Sequence, residues 1–260
     1  MKRRDFLAVT CAAGLAPLSD TAKGAACCAS VPRQYYELRH YQIKSQEKQK
    51  IVLGFLKDAA IPALNRINIK PIGVFKIAED DNPDLYVLVP HEGLESIVKS
   101  ALLIASDPQY QKAGAKLLNA PKSDPYYERI ESSLMIAFEV IPRLEFPTKK
   151  PSRVFQLRIY ESHNKLAGKK KVEMFNSGGE MEIFRKTGMN PVFFGQSLVG
   201  TKLPNLTYML GFDDMDAKQK AWDKFRSDPG WLKLKEVPYF KDTVSNITNI
   251  MLCPAACSQI

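Results

Sequence analysis

The segments Ser106-Asp107-Pro108-Gln109-Tyr110 and Ser227-Asp228-Pro229-Gly230-Trp231 lie 121 residues apart and share Ser-Asp-Pro with an aromatic two residues on. Three more pairs occur in the same order. Tyr36-Glu37-Leu38-Arg39-His40-Tyr41 matches Phe155-Gln156-Leu157-Arg158-Ile159-Tyr160 at a shift of 119. Lys70-Pro71 matches Asn190-Pro191 at 120, and Asp84-Leu85-Tyr86-Val87-Leu88 matches Asn205-Leu206-Thr207-Tyr208-Met209 at 121. A nearly constant offset is the mark of internal duplication, and a period this long is a whole domain rather than a solenoid unit. The chain thus reads as a first α+β module over 34–141, a Pro- and Lys-rich linker over 142–151 and a second module over 152–253.

Each module reads strand, helix, strand, strand, helix, strand. Residues 153–161 alternate apolar and polar, as a half-buried strand does. Ser162 or Asn164 suits a helix cap. The helix that follows is predicted to run to about Lys186, with Met174, Phe175, Met181 and Phe184 as its apolar stripe and Gly188 as its stop. Strands follow over Pro191–Leu198 and Leu206–Phe212, then acid-initiated helices, then a strand over Val244–Leu252. The first copy predicts strands near 34–43, 70–77, 84–90 and 129–140. This order is ferredoxin-like. Each sheet leaves one face uncovered by its helices, so the expected fold is two tandem modules packed sheet to sheet as a pseudo-twofold α+β barrel. Fusion makes that pairing intramolecular. The chain is then a monomer with internal module pairing or a homodimer.

The 260 residues are 45% hydrophobic and 25% charged, an ordinary globular composition. No apolar run reaches the ~20 residues that span a bilayer, so no stable membrane span is expected. The net charge is +9, or +7 without residues 1–30. The cations are dispersed, Lys169-Lys170-Lys171 reads as a solvated helix face, and no zinc finger, RNP motif or Arg-rich arm is present, so nucleic acid is not an expected partner.

Lys2-Arg3-Arg4-Asp5-Phe6-Leu7, a short apolar stretch to Leu18 and small residues to Ser30 have the build of a signal peptide. The Arg pair before Phe-Leu resembles the twin-arginine type used for bacterial export. A periplasmic or extracellular location follows as an expectation, and Cys27, Cys28, Cys253 and Cys257 are read as disulfide partners or loosely paired thiols.

Several segments resemble the NIPSNAP family: Glu37-Leu38-Arg39-x-Tyr41, Ile61-Pro62-Ala63-Leu64-Asn65 through Pro71-Ile72-Gly73-Val74-Phe75, Leu203-Pro204-Asn205-Leu206-Thr207-Tyr208-Met209, and Trp222-x-x-Phe225-x-x-Asp228-Pro229-x-Trp231. The resemblance extends over residues 34–252. The second copy matches better, because Gln109-Tyr110 stands where Gly230-Trp231 does in the duplicate. The resemblance implies a dimeric α+β barrel and little about reaction. The wider barrel superfamily includes haem-binding enzymes, small-molecule monooxygenases and cyclases, an analogy of fold alone.

Strand parity separates Tyr36, Leu38, His40 and Phe155, Leu157, Ile159 from Glu37, Arg39, Tyr41 and Gln156, Arg158, Tyr160. The apolar set is expected to meet the helices and the polar-aromatic set to face the barrel lumen. These six polar residues are the candidate ligand-binding set, either a pocket for a small anionic or aromatic molecule or a satisfied polar network. His40 is expected on the helix side and His91 at a helix start. His163 lies beside strand one of the second copy and, with Tyr160, is the candidate catalytic residue. Glu180 and Glu182 read as helix-surface acids. No metal cluster is legible and no cofactor is evident, with haem as the alternative. Two functions stay open: a small-molecule- or partner-binding barrel, and a cofactor-free monooxygenase- or isomerase-like enzyme working in the lumen.

Overall fold

Alternation along Tyr35–Gln42 makes the first pleated strand, β1. In the computed structural model, which describes residues 31–78 and 81–260, β1 leads into α1 (Gln46–Phe55), a π-helical turn (Leu56–Ala60) and α2 (Ile61–Arg66). Then come β2 (Gly73–Ile77), β3 (Leu85–His91), α3 (Leu94–Ala105), α4 (Pro108–Leu118) and β4 (Arg129–Ala137). The second copy contains β5 (Val154–Glu161), α5 (Lys165–Asn176), α6 (Glu180–Thr187), β6 (Pro191–Val199), β7 (Asn205–Phe212), α7 (Met215–Ser227), α8 (Pro229–Leu234) and β8 (Asn246–Pro254). Residues 1–30, with the signal-peptide segment and Cys27 and Cys28, lie outside the described residues.

Short polar side chains cap α1, α4, α5, α7 and α8, as helix N-termini favour. Asn164 accepts from the Ala167 amide at 2.8 Å, and Asp214 from the Ala217 amide at 2.8 Å. Gly188, at φ 86°, ends α6 in the left-handed conformation. The helix expected to run through to Lys186 is in fact two. Ser177-Gly178-Gly179 breaks it, with Gly179 at φ 94°, a conformation that costs a side-chain-bearing residue more than glycine.

The strands close into one antiparallel barrel of order β1-β3-β2-β8-β5-β7-β6-β4. Each copy contributes one ferredoxin-like sheet, and the sheets join edge to edge through β2 with β8 and β4 with β6. Closure removes the open edges on which sheets otherwise aggregate. The linker is docked: Glu145 donates its amide to the Val192 carbonyl at 2.9 Å, and its carboxylate pairs with Arg185 at 2.6 Å. The tail after β8 crosses to the first copy, where Ala255 and Gln259 donate to the carbonyls of Val74 and Ile72.

The lumen is packed with Tyr36, Leu38, Phe75, Phe155, Leu157 and Phe193. Phe75 meets Phe155 edge-on at 5.0 Å, and Tyr36 meets Phe193 at 5.2 Å. The expected facing of the strands is therefore reversed: the apolar set fills the barrel, and Glu37, Arg39, Tyr41, Gln156, Arg158 and Tyr160 lie on the outer face, towards the helices. The physical reason is closure. A closed barrel of this size holds side chains rather than solvent, so its inner face is the drier of the two. The open end of the lumen keeps a cavity of about 210 Å³ lined in part by His40, Tyr86 and Glu131.

Two outer cores complete the fold. Val74, Val87 and Val89 pack beneath the first copy's helices, and Leu206, Tyr208 and Leu210 beneath those of the second. Cys253 and Cys257 are not bonded to each other. Among the described residues no helix is long and apolar enough to cross a membrane.

Candidate functional site

Gln156, Arg158 and Tyr160 project from β5 on its outer face. Arg158 stands opposite Tyr208 of β7 and Asn249 of β8. The helices α5 to α8 cover this face incompletely and leave a cavity of about 540 Å³, lined among others by Arg158, Tyr160, Lys171, Glu180, Trp222 and Trp231. That volume suits a small organic molecule. The structure thus brings three predicted residues into one site, outside the barrel rather than inside it.

The aromatic rings are fixed. Trp222 donates its indole N–H to Gln156 Oε1 at 2.6 Å, and Gln156 Nε2 donates to Asn249 Oδ1 at 2.7 Å. Trp222 stands edge-on to Phe225 at 5.7 Å, and Phe225 contacts Trp231 at 4.5 Å. Tyr208 is fully buried, stacks on Phe194 at 4.5 Å and donates its hydroxyl to Tyr160 at 2.9 Å. Burial, then the neighbouring Tyr160, holds the Tyr208 hydroxyl well above its ordinary pKa.

Arg158 is the unusual group. Its guanidinium carbon lies 4.7 Å from the Trp222 ring centre and 5.3 Å from that of Tyr160, a cation–π arrangement on two walls. Its Nε is buried with no hydrogen-bond partner. Among the described residues, no carboxylate lies within the 4.0 Å of an ion pair from it. Arg158 is half-buried, and although burial lowers its pKa, Tyr208 and Tyr160 outweigh that and hold it above its ordinary value. A guanidinium that stays charged at a cavity wall without a carboxylate partner suits an anion.

A charge pair sits in the same wall. Lys171 Nζ lies 2.6 Å from Glu180 Oε2, with both side chains buried. The ammonium also stands 4.6 Å from the Phe175 ring centre. Burial pushes the Glu180 carboxyl up from its ordinary pKa, against the pull of Lys171. The reading of Lys171 and Glu180 as solvated helix-surface charges is therefore corrected. Lys171 follows Ala167 by four residues and precedes Met174 and Phe175 by three and four, which puts it on the apolar stripe of α5.

The first copy uses the same positions differently. Arg39 grips Glu37 with both arms at 2.8 and 2.7 Å, and Ser132 donates to the same carboxylate at 2.8 Å. Burial would raise the Glu37 carboxyl, but nearby His91, the bonds and charge of Arg39 and the Ser132 hydroxyl outweigh it and hold it well below the usual carboxylate range. Tyr41 is buried edge-on to Tyr127 at 5.8 Å. Here the polar set is a closed, charge-balanced network. The second copy has Gln156 where the first has Glu37, and its Arg lacks a carboxylate partner.

The histidines are elsewhere. His163 is exposed on the turn before α5 and does not line the cavity, so the structure does not bring it to Tyr160. His40 lies on the lumen side, stacked on Tyr86 at 4.6 Å and bonded to Asp84 at 2.8 Å. His91 ends β3 rather than starting a helix. It is buried, with Nδ1 3.0 Å from Ser96 Oγ. The cavity lining holds no His or Cys. Among the described residues no cluster of three or more His, Cys, Asp or Glu could hold a metal ion.

Trp222, Asn249 and the cross-strand pairing place this chemistry on one contiguous stretch of chain. Residues 155–259 match the NIPSNAP family model. The NIPSNAP match covers the second copy alone, whereas the sequence resemblance was expected to extend from residue 34. No curated protein matches the chain. Among solved structures, a protein from Fusobacterium nucleatum provisionally named a monooxygenase aligns at TM-score 0.55 and 8% identity, over 85% of this chain and 92% of that one. A similarly named protein from Lactobacillus acidophilus aligns at 0.53 and 10%, over 85% and 94%. An anthrone oxidase-like protein aligns at 0.51 and 11%, over 86% and 92%. At such identities the likeness is one of fold: an α+β protein built on a closed antiparallel barrel.

Proposed function

We propose that the NIPSNAP-matching second copy binds a small aromatic anion in the cavity between its sheet and helices, and that the chain does so as an exported protein. The observation that carries this reading is the Arg158 guanidinium, held between Trp222 and Tyr160 with no carboxylate partner at the wall of a 540 Å³ cavity. A ligand carboxylate completes the charge that the fold leaves open, as a planar guanidinium is suited to do. The ligand's ring stacks on tryptophans already oriented by Gln156 and Phe225. Binding rather than turnover is the reading, because Lys171 and Glu180 neutralise each other and His163 stands outside the cavity. The twin-arginine-like N-terminus supports export.

Isothermal titration calorimetry tests the ligand class. An aromatic carboxylate such as phenylacetate is expected to bind, its neutral amide to bind at least tenfold more weakly, and the protonated amine analogue not at all. Arg158→Leu abolishes the preference for the carboxylate. Equal binding of acid and amide, or an Arg158→Leu variant that keeps the preference, refutes the reading. Export is tested by fractionating host cells, with twin-lysine replacement of Arg3 and Arg4 expected to retain the protein in the cytoplasm.

A further inference from the structure

The helix α3, Leu94–Ala105, turns an apolar face to solvent. Leu94 is 50% exposed, Val98 68%, Leu102 69% and Leu103 53%. Leu94, Val98 and Leu102 follow at intervals of four, so they form a single stripe about 12 Å long. Isolated exposed apolar residues need no explanation, but a contiguous stripe does.

The duplication supplies an internal control. At the shift of 121 that relates the two Ser-Asp-Pro segments, Val98 corresponds to Gln219, Leu102 to Asp223 and Leu103 to Lys224 of α7. Leu94 corresponds to the exposed Met215, but the rest of this face of α7 is polar, and Gln219 donates to Asp223 at 3.1 Å. The same helix in the same fold thus works with a charged outer face. Nothing in the architecture requires leucine and valine there.

Charge decides what covers the stripe. Its flank carries one acid and one base, Glu95 and Lys99, 2.6 Å apart, so the face is neutral on a chain of net charge +9. An anionic surface or nucleic acid is met by clustered cations, which this face does not have. Two copies of a cationic chain repel elsewhere, whereas here they can approach. A twofold axis near Val98 sets α3 antiparallel to its mate, packs Leu94 of each copy against Leu102 of the other, and brings each Glu95 towards the other copy's Lys99. The stripe is self-complementary in shape and charge, as an isologous interface demands.

We infer that α3 is a self-association surface through which two copies of the chain form a twofold dimer. One helix pair is smaller than the roughly 800 Å² per partner of standard interfaces, so the dissociation constant falls in about the micromolar range. The inference is independent of ligand binding in the second copy.

Sedimentation velocity over a concentration series tests it on the full chain. The wild type is expected to shift from monomer to dimer with rising concentration. The triple variant Val98→Gln, Leu102→Asp, Leu103→Lys, which transplants the α7 face, stays monomeric with an unchanged circular dichroism spectrum and melting midpoint. Lys99→Glu alone weakens the dimer at least tenfold, and adding Glu95→Lys restores it. Val98→Cys forms a disulfide-linked dimer across the axis that the wild type does not. A wild type that stays monomeric to several hundred micromolar overturns the inference, as does a triple variant that still dimerises.

Discussion

Gln156→Glu should close the second site in the way the first copy already does. In β1, Glu37 two residues before Arg39 folds back to accept both guanidinium arms at 2.8 and 2.7 Å. Gln156 and Arg158 hold the same strand positions on the same face, so a carboxylate at 156 reaches Arg158 by the same geometry. It keeps an oxygen for the Trp222 N–H and loses the bond that Gln156 Nε2 donates to Asn249. The lost neutral bond costs about 1 kcal/mol and the new charged one returns a similar amount. Net stability should therefore change by under about 1 kcal/mol, or a few °C in Tm for a chain of this size. Binding should change far more. A charge-assisted bond to the ligand is worth about 1.5–3 kcal/mol, which at 1.4 kcal/mol per decade is a loss of about 10- to 150-fold in affinity. The assay is calorimetric titration of phenylacetate into wild type and variant at low ionic strength, with Tm measured alongside. A Gln156→Glu protein that melts like the wild type and binds as tightly would refute the idea that an uncompensated Arg158 defines the site.

Other consequences follow from the same contacts. Glu180→Gln leaves the Lys171 ammonium buried without its partner and should cost about 3–5 kcal/mol in urea denaturation, with Lys171→Met plus Glu180→Leu recovering most of it. Because Glu37 is held below its ordinary pKa, the folded state binds fewer protons there than the unfolded chain. Its stabilisation is present above the ordinary carboxylate pKa of about 4.3 and is lost as pH falls below it. Glu37→Gln should flatten that acid-side decline in a urea-midpoint-versus-pH series while lowering stability near neutrality by about 2–3 kcal/mol. Leu157→Ala, in the fully buried lumen, should cost about 2–5 kcal/mol yet leave phenylacetate affinity within twofold, since the lumen and the cavity are separate. Asn164→Ala removes the cap of α5 and should cost about 1 kcal/mol by thermal melting.

The α+β barrel, its strand order and the grouping of Gln156, Arg158 and Tyr160 on one face were legible in the sequence. Which face that was could not be read from parity. Alternation with period two separates the sides of a strand, but both sides of these sheets are buried, one in the lumen and one under helices. Tyr36 and Phe155 look equally suited to either. The break at Gly178-Gly179 was hidden by the apolar period that continues over the seven-residue spacing from Met174 to Met181. Lys171 was hidden in a run of three lysines, although its spacing from Ala167, Met174 and Phe175 marked it as inward-facing. Trp222 and Trp231 were recognisable as a signature, but their place around Arg158 depends on how α7 and α8 pack on the sheet, which no local pattern encodes. Even so, one substitution that distinguishes the two sites, Glu37 against Gln156, was visible in the repeat itself.

The chain has two tryptophans, and both line the cavity, so intrinsic tryptophan fluorescence reports on this site alone. The most direct test is a fluorescence titration of wild type and Arg158→Leu with phenylacetate, selectively exciting tryptophan. The account predicts saturable quenching in the wild type that weakens with added salt, and loss of saturation in Arg158→Leu at matched stability. A wild type with no saturable change, or an Arg158→Leu protein that responds identically, would contradict it.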